Sequence, residues 1–203
     1  MGGNGKKHFR GQRINEVILG SQDGIVNVLG VVLGVASATN NSLIVLVAGL
    51  ATAFAETISM AAVAYTSVKA EHDYHKSERA LEEREVEEMP GEETKEIRDI
   101  YAKKGFKGKL LDQIVKVITS DKKVWIDTMM AEELNLPPTF QKSPWRSGLL
   151  VFIATLFGSL GPIIPFFLLP MSNAILASLA ISVVLLFIIG AVKARLTVGN
   201  WFF

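Results

Sequence analysis

Apolar and polar positions in this chain are segregated into long blocks rather than interleaved. Apolar blocks run over about residues 17–39, 42–68, 147–169 and 174–192, each almost free of charge. Each is near or above the roughly 20 residues that cross a hydrocarbon core about 30 Å thick. Four transmembrane helices are therefore predicted. The first block is too long for a signal-peptide core, and no small-residue cleavage site follows it. Only "ATNNS" separates the first two blocks, so they form a helical hairpin turning at Asn40 and Asn41. The second block is rich in Ala, Gly, Ser and Thr, which let helix backbones approach closely in lipid. The third carries "GSLGPIIPFFLLP", where Pro162 and Pro165 are expected to kink or end the helix. No repeat relates the two hairpins, which speaks against an inverted-repeat architecture.

Between the second and third blocks the pattern becomes that of a small helical domain. "EHDYHKSERALEEREVEEM" reads as a charged helix continuing from the second span and broken by Pro90 and Gly91. "EETKEIRDIYAKKG" places Ile97, Ile100 and Tyr101 on one face, with Gly105 as its stop. "GKLLDQIVKVIT" spaces Leu110, Leu111, Ile114, Val115 and Ile118 for a third helix. Ser120 is the expected N-cap of a fourth, "DKKVWIDTMMAEELNL", ended by Pro137 and Pro138. The expected fold is all-α and polytopic: a transmembrane hairpin over 1–69, a helical insertion over 70–143, and transmembrane helices three and four within 144–203.

Charge adds orientation. The formal net charge of the 203 residues is only +1, yet the basic residues are placed with strong bias. All 21 lie before the first block, between Lys69 and Arg146, or at Lys193 and Arg195. The connections "ATNNS" and "LPMSN" carry none. The positive-inside bias therefore puts the N-terminus and residues 70–143 in the cytoplasm. Trp145, and Trp201 with Phe202 and Phe203, read as interfacial anchors. The chain has no cysteine, which excludes disulfides and thiolate metal sites. The lipid bilayer is an expected partner and nucleic acid is not.

Two acids, Asp23 and Glu56, sit inside apolar blocks. Counting outward from the turn at Asn40 and Asn41 puts Asp23 level with position 58 of the second span. Glu56 and Met60 flank that position on one helix face, each within about 3 Å of Asp23's depth at 1.5 Å rise per residue. Asn27 lies one turn from Asp23 on the same face. No Lys or Arg lies in the spans to neutralise these acids. Asp23 alone could be a solvated charge near the headgroups. Intramembrane carboxylates without a basic partner, however, point to a cation or proton path. Carboxylate and amide oxygens accept hard divalent ions, and a thioether shifts preference toward a transition metal.

The insertion repeats the chemistry. Glu82 and Glu85 stand three apart, as do Glu93 and Glu96, and Met129, Met130 and Glu133 share a later helix. Acids at this spacing serve carboxylate metal sites in helical bundles, although a Glu-rich helix is ordinarily a solvated face. Consecutive Met129 and Met130 are unusual on a charged helix, although one of them can be core packing. His72 and His75, beside Glu71 and Asp73, are a weaker metal candidate.

Taken together, "SQDGIVNVLGVVLGV", "ISMAAVAYTS" and the acidic insertion resemble the vacuolar iron transporter family. The resemblance implies a homodimer that exports Fe²⁺, often also Mn²⁺, from the cytoplasm in exchange for protons. It implies no enzyme activity and no prosthetic group. Fe²⁺ is the expected cargo, with Mn²⁺, Zn²⁺ or other divalent transition ions beside it. By the resemblance, the first two spans line the ion path, with Asp23 and Met60 acting in it. Glu82, Glu85, Glu93, Glu96, Met129, Met130 and Glu133 match the family's cytoplasmic metal-binding residues. The implied membrane is the plasma membrane of a prokaryote or the vacuolar membrane of a eukaryote. Two departures stand out. The family often has a carboxylate one turn after the methionine of the second span, where this chain has Ala64 and instead offers Glu56 one turn earlier. The family normally has five spans, and this chain ends at "GNWFF", where the fifth would begin. The alternatives are a membrane-anchored metal sensor and a di-iron oxidase. The oxidase is disfavoured because the insertion's Glu pairs lack the Glu-x-x-His motif.

Overall fold

A computed structural model of the chain describes residues 4–197, with side chains over 14–196. Seven helices and no strand occur among the described residues: α1 (Asn4–Ala38), α2 (Ser42–Glu88), α3 (Pro90–Lys103), α4 (Gly108–Thr119), α5 (Lys122–Glu132), α6 (Pro144–Leu168) and α7 (Met171–Thr197). They divide into two compact units, 1–68 with 143–203, and 69–142. The expected anchors Trp201, Phe202 and Phe203 lie outside the described residues.

In the first unit, α1, α2, α6 and α7 are each long and apolar enough to cross a membrane, making the fold that of a polytopic membrane protein. The hairpin turn is closed by Asn41, whose Oδ1 accepts from the Leu43 and Ile44 N–H groups at 3.0 and 3.4 Å. These are donors that a helix start leaves unpaired. The helix at the centre is α6: 56% of its apolar window is buried, against 28% for α1 and 11% for α7. Small residues allow this. A Cβ on Gly24 of α1 would stand 2.6 Å from the Thr155 carbonyl oxygen and 2.7 Å from Ser159 Oγ, and one on Gly158 would stand 2.4 Å from the Ser21 carbonyl. In lipid, such close backbone approach replaces the hydrophobic drive that holds soluble helices together. Near one end of the bundle, Ser147 Oγ donates to Glu16 Oε1 at 2.9 Å. Trp145 is 77% exposed and stands edge-on to Tyr65, ring centroids 5.1 Å apart.

Gly24→Val is accordingly expected to destabilise the detergent-solubilised protein by about 1–3 kcal/mol, the range for overpacking against atoms that cannot move aside. Gly190→Ala, where a Cβ meets nothing within 4 Å, should be neutral or stabilising by up to about 1 kcal/mol through helix propensity. Thermal melting of the two variants checks the contrast, and equal shifts would remove the α1–α6 contact as its cause.

Pro162 and Pro165 do not end their helix, as the sequence allowed, but lie inside α6, which runs on to Leu168. Proline removes an intrahelical donor, which is tolerable in a span when neighbouring helices supply polar partners. Separately, Ser178 Oγ of α7 donates to the Pro162 carbonyl at 2.7 Å, which ties α7 to α6 beside the two buried prolines.

In the second unit, α2 continues without a break to Glu88, and Pro90 opens α3 at its first turn, where its missing N–H is not needed. Gly105, at φ +99°, stops α3 as expected. The Phe106 N–H reaches the Tyr101 carbonyl at 3.2 Å and the Gly105 N–H that of Ala102 at 3.0 Å. The Tyr101 and Phe106 rings, 6.0 Å apart, complete this Schellman end with its hydrophobic contact. Three expectations need correction. Leu110 does not join the core face of α4 but is 54% exposed, since Leu111, Val115 and Ile118 already fill the interior stripe. The N-cap of α5 is Asp121, not Ser120: Asp121 accepts from the Lys123 and Val124 N–H groups at 2.9 and 3.1 Å, while Ser120 closes α4 with its Oγ on the Val117 carbonyl. Finally, α5 ends before Pro137 and Pro138. Asn135, at φ +57°, turns the chain, and the Leu134 and Leu136 N–H groups return to the Met129 and Met130 carbonyls.

Candidate metal pathway and acidic cluster

The first candidate site lies in the membrane unit. A two-residue-scale turn and regular helices on both sides leave little freedom in relative depth, so the counted register translates into proximity. The Glu56 carboxyl of α2 has Asp23 and Asn27 of α1 as its interacting polar neighbours. Asp23, Glu56 and Met60 are half-buried and Asn27 is exposed. Met60 follows Glu56 by one turn on the same face of α2. Two carboxylates and an amide side chain thus meet at one level of an apolar bundle whose spans hold no Lys or Arg. A divalent cation, or protons, would neutralise them there, and their oxygens suit both.

The second lies in the helical unit. Glu82 of α2 and Glu93 of α3 are only 4% and 5% exposed, and one carboxylate oxygen of each has no hydrogen-bond partner. Burial, and then the charges of Glu133, Glu93, Glu85 and Glu96, push Glu82 up to about 7. Burial, and then Glu96, Glu85, Glu133 and Glu92, push Glu93 up to about 7 as well. Glu133 is raised too, by burial and by the neighbouring Glu96. Five predicted acids from three helices therefore form one electrostatic cluster, with Glu85 half-buried and Glu96 exposed. It is a loose one. Among the described residues no three His, Asp or Glu groups stand close enough to form a ready coordination shell.

Met129 and Met130 are fully buried and belong to the apolar core with Val86, Ile97, Leu111 and Trp125. The core-packing alternative for them therefore holds here, while Glu133 caps the end of α5, its N–H on the Met129 carbonyl. The weaker His72 and His75 candidate divides. The buried His75 Nε2 must carry its proton, because it bonds the Pro137 carbonyl at 2.6 Å, whereas His72 faces Asp73.

Three buried hydroxyls without partners, Thr57, Thr155 and Ser159, lie in the membrane unit and were not anticipated. Thr57 adjoins Glu56 in sequence, and the other two face the glycines of α1. Position alone marked none of them, since Ser and Thr are common in tightly packed spans.

Residues 14–203 match the model of the VIT family. Vacuolar iron transporter 1 of Arabidopsis thaliana is 31% identical over 194 residues, covering 95% of this chain and 78% of that protein. Vacuolar iron transporter 1 of Oryza sativa subsp. japonica is 32% identical over 197 residues, covering 96% and 78%. The vacuolar iron transporter of Toxoplasma gondii is 34% identical over 197 residues, covering 92% and 65%. With a match that takes in both the membrane helices and the acidic unit, the chain belongs to the VIT family.

Proposed function

We propose that this protein carries divalent iron across a membrane, out of the cytoplasm, in exchange for protons, with Mn²⁺ and other transition ions as secondary cargo. The observation that carries the reading is the meeting of Asp23, Asn27 and Glu56 within spans that offer no basic partner. The relatives named as vacuolar iron transporters supply the cargo. Oxygen ligands with a nearby thioether accept a borderline ion such as Fe²⁺. The same carboxylates accept protons once the metal has left, which is the elementary requirement of an exchanger. Glu82, Glu85, Glu93, Glu96 and Glu133 gather cations on the cytoplasmic side.

The working unit is taken to be a homodimer. Gly30 and Gly34 of α1 have nothing within 4 Å of a virtual Cβ, and Val26, Phe54 and Ile58 are more than half exposed on α1 and α2. Such open small-residue faces suit close approach by a second copy.

Proteoliposomes provide the test. Fe²⁺ applied to the cytoplasmic side should enter, with protons moving the opposite way. An imposed proton gradient should drive accumulation. Metal flux that ignores the gradient would leave transport standing and remove the exchange.

A further inference from the structure

A different cluster, separate from the acids, lies earlier along α2. A cavity of about 330 Å³ opens between α2, the first half of α5 and the segment 138–140, all within the 69–142 unit. Its frame is tied down. The buried His75 holds the Pro137 carbonyl. Arg79 Nη1 donates to Asp127 Oδ1 at 2.7 Å and to the Pro138 carbonyl at 3.2 Å. Phe140 stands edge-on to the His72 ring at 5.4 Å. These contacts hold α5 and the 137–140 segment against α2, so the cavity is preorganised rather than a gap between loose parts.

Its charge is unbalanced. Arg79 is matched by Asp127, but Lys76 and Lys123, also lining the cavity, have no side-chain ion pair among the described residues. Lys123 moreover lies in the first turn of α5, where the helix dipole disfavours a cation. Two exposed ammonium groups, with three donors each and no acid of their own, suit the oxygens of a phosphate group. We propose that this cavity binds a phosphate-bearing anion, with Lys76 and Lys123 contacting its phosphate oxygens. A lipid headgroup and a soluble phosphate ester share that chemistry.

The full-length protein in dodecyl maltoside is titrated with two probes, dihexanoyl phosphatidic acid and sn-glycerol 3-phosphate, by calorimetry. Saturable binding of at least one is expected, weakened about tenfold or more by Lys76→Ala with Lys123→Ala. The pair Lys109→Ala with Lys116→Ala, an equal charge change on α4, should leave it intact, and Lys76→Arg with Lys123→Arg should retain it. Binding of both probes assigns the site to the phosphate group itself, and binding of the lipid alone to a headgroup. Absence of saturable binding, or equal weakening by the α4 pair, overturns the proposal.

Discussion

Asp23→Ala is expected to bring metal-dependent uptake into proteoliposomes down to that of empty vesicles, while Ser42→Ala stays near wild type. The argument runs through charge rather than fold. Asp23 contributes one of two acids at a level where the spans supply no basic partner. Removing it leaves Glu56 and the Asn27 amide to meet a doubly charged ion. A loss of more than about tenfold requires only about 1.4 kcal/mol of lost stabilisation. Misfolding is not the expected cause of the loss, because removing an ionisable group from a span favours its insertion. Ser42 is a fair control because the start of α2 is capped by Asn41 and does not depend on the serine. Glu56→Gln should reduce uptake as well. Equal uptake by wild type and Asp23→Ala, in vesicles with matched protein, would sink the proposed path.

How much of this was legible in the sequence depends on the distance between the residues involved. The hairpin register needed only a short turn and a constant rise, so Asp23, Asn27 and Glu56 could be brought together by counting. The stop at Gly105 was likewise local, since one left-handed residue decides it. The cap of α5 was local too but ambiguous: Ser120 and Asp121 are adjacent, both can cap, and only the backbone shows which turns outward. That α6 runs past its prolines to Leu168, one of the two outcomes the sequence left open being an end there, could not be read locally, since both prolines are buried in the packed bundle. Burial of Met129 and Met130 was undecidable from periodicity. It depends on how three short helices close over the end of α2, which no single helix pattern contains. The same holds for the tie between Arg79 and Asp127, 48 residues apart.

The acid cluster makes the sharpest demand on experiment, because stability and binding should move in opposite directions. With Glu82 and Glu93 raised from an ordinary 4.5 to about 7, the folded protein holds more protons than the unfolded chain between those values. Stability without metal therefore falls as pH rises from about 4.5 to 7, and stays lowered above that. A bound cation answers the same uncompensated buried charge, and protons compete with it. Stabilisation of the full-length protein by Co²⁺, an air-stable stand-in for Fe²⁺, should thus be small at pH 5.5 and grow through pH 7. Glu82→Gln with Glu93→Gln removes both groups while keeping their shape. At pH 8 the variant is expected to melt higher than wild type when no metal is added, since two buried and mutually repelling carboxylates are gone. Its affinity for Co²⁺ should fall by at least about tenfold, the scale on which even the outer partners of metal ligands act. If these acids were merely a solvated face, neither change would appear. If they were a structural element without metal, the variant would gain stability and keep its Co²⁺ response. Only a cation-gathering cluster gives a protein that is firmer alone and indifferent to the ion.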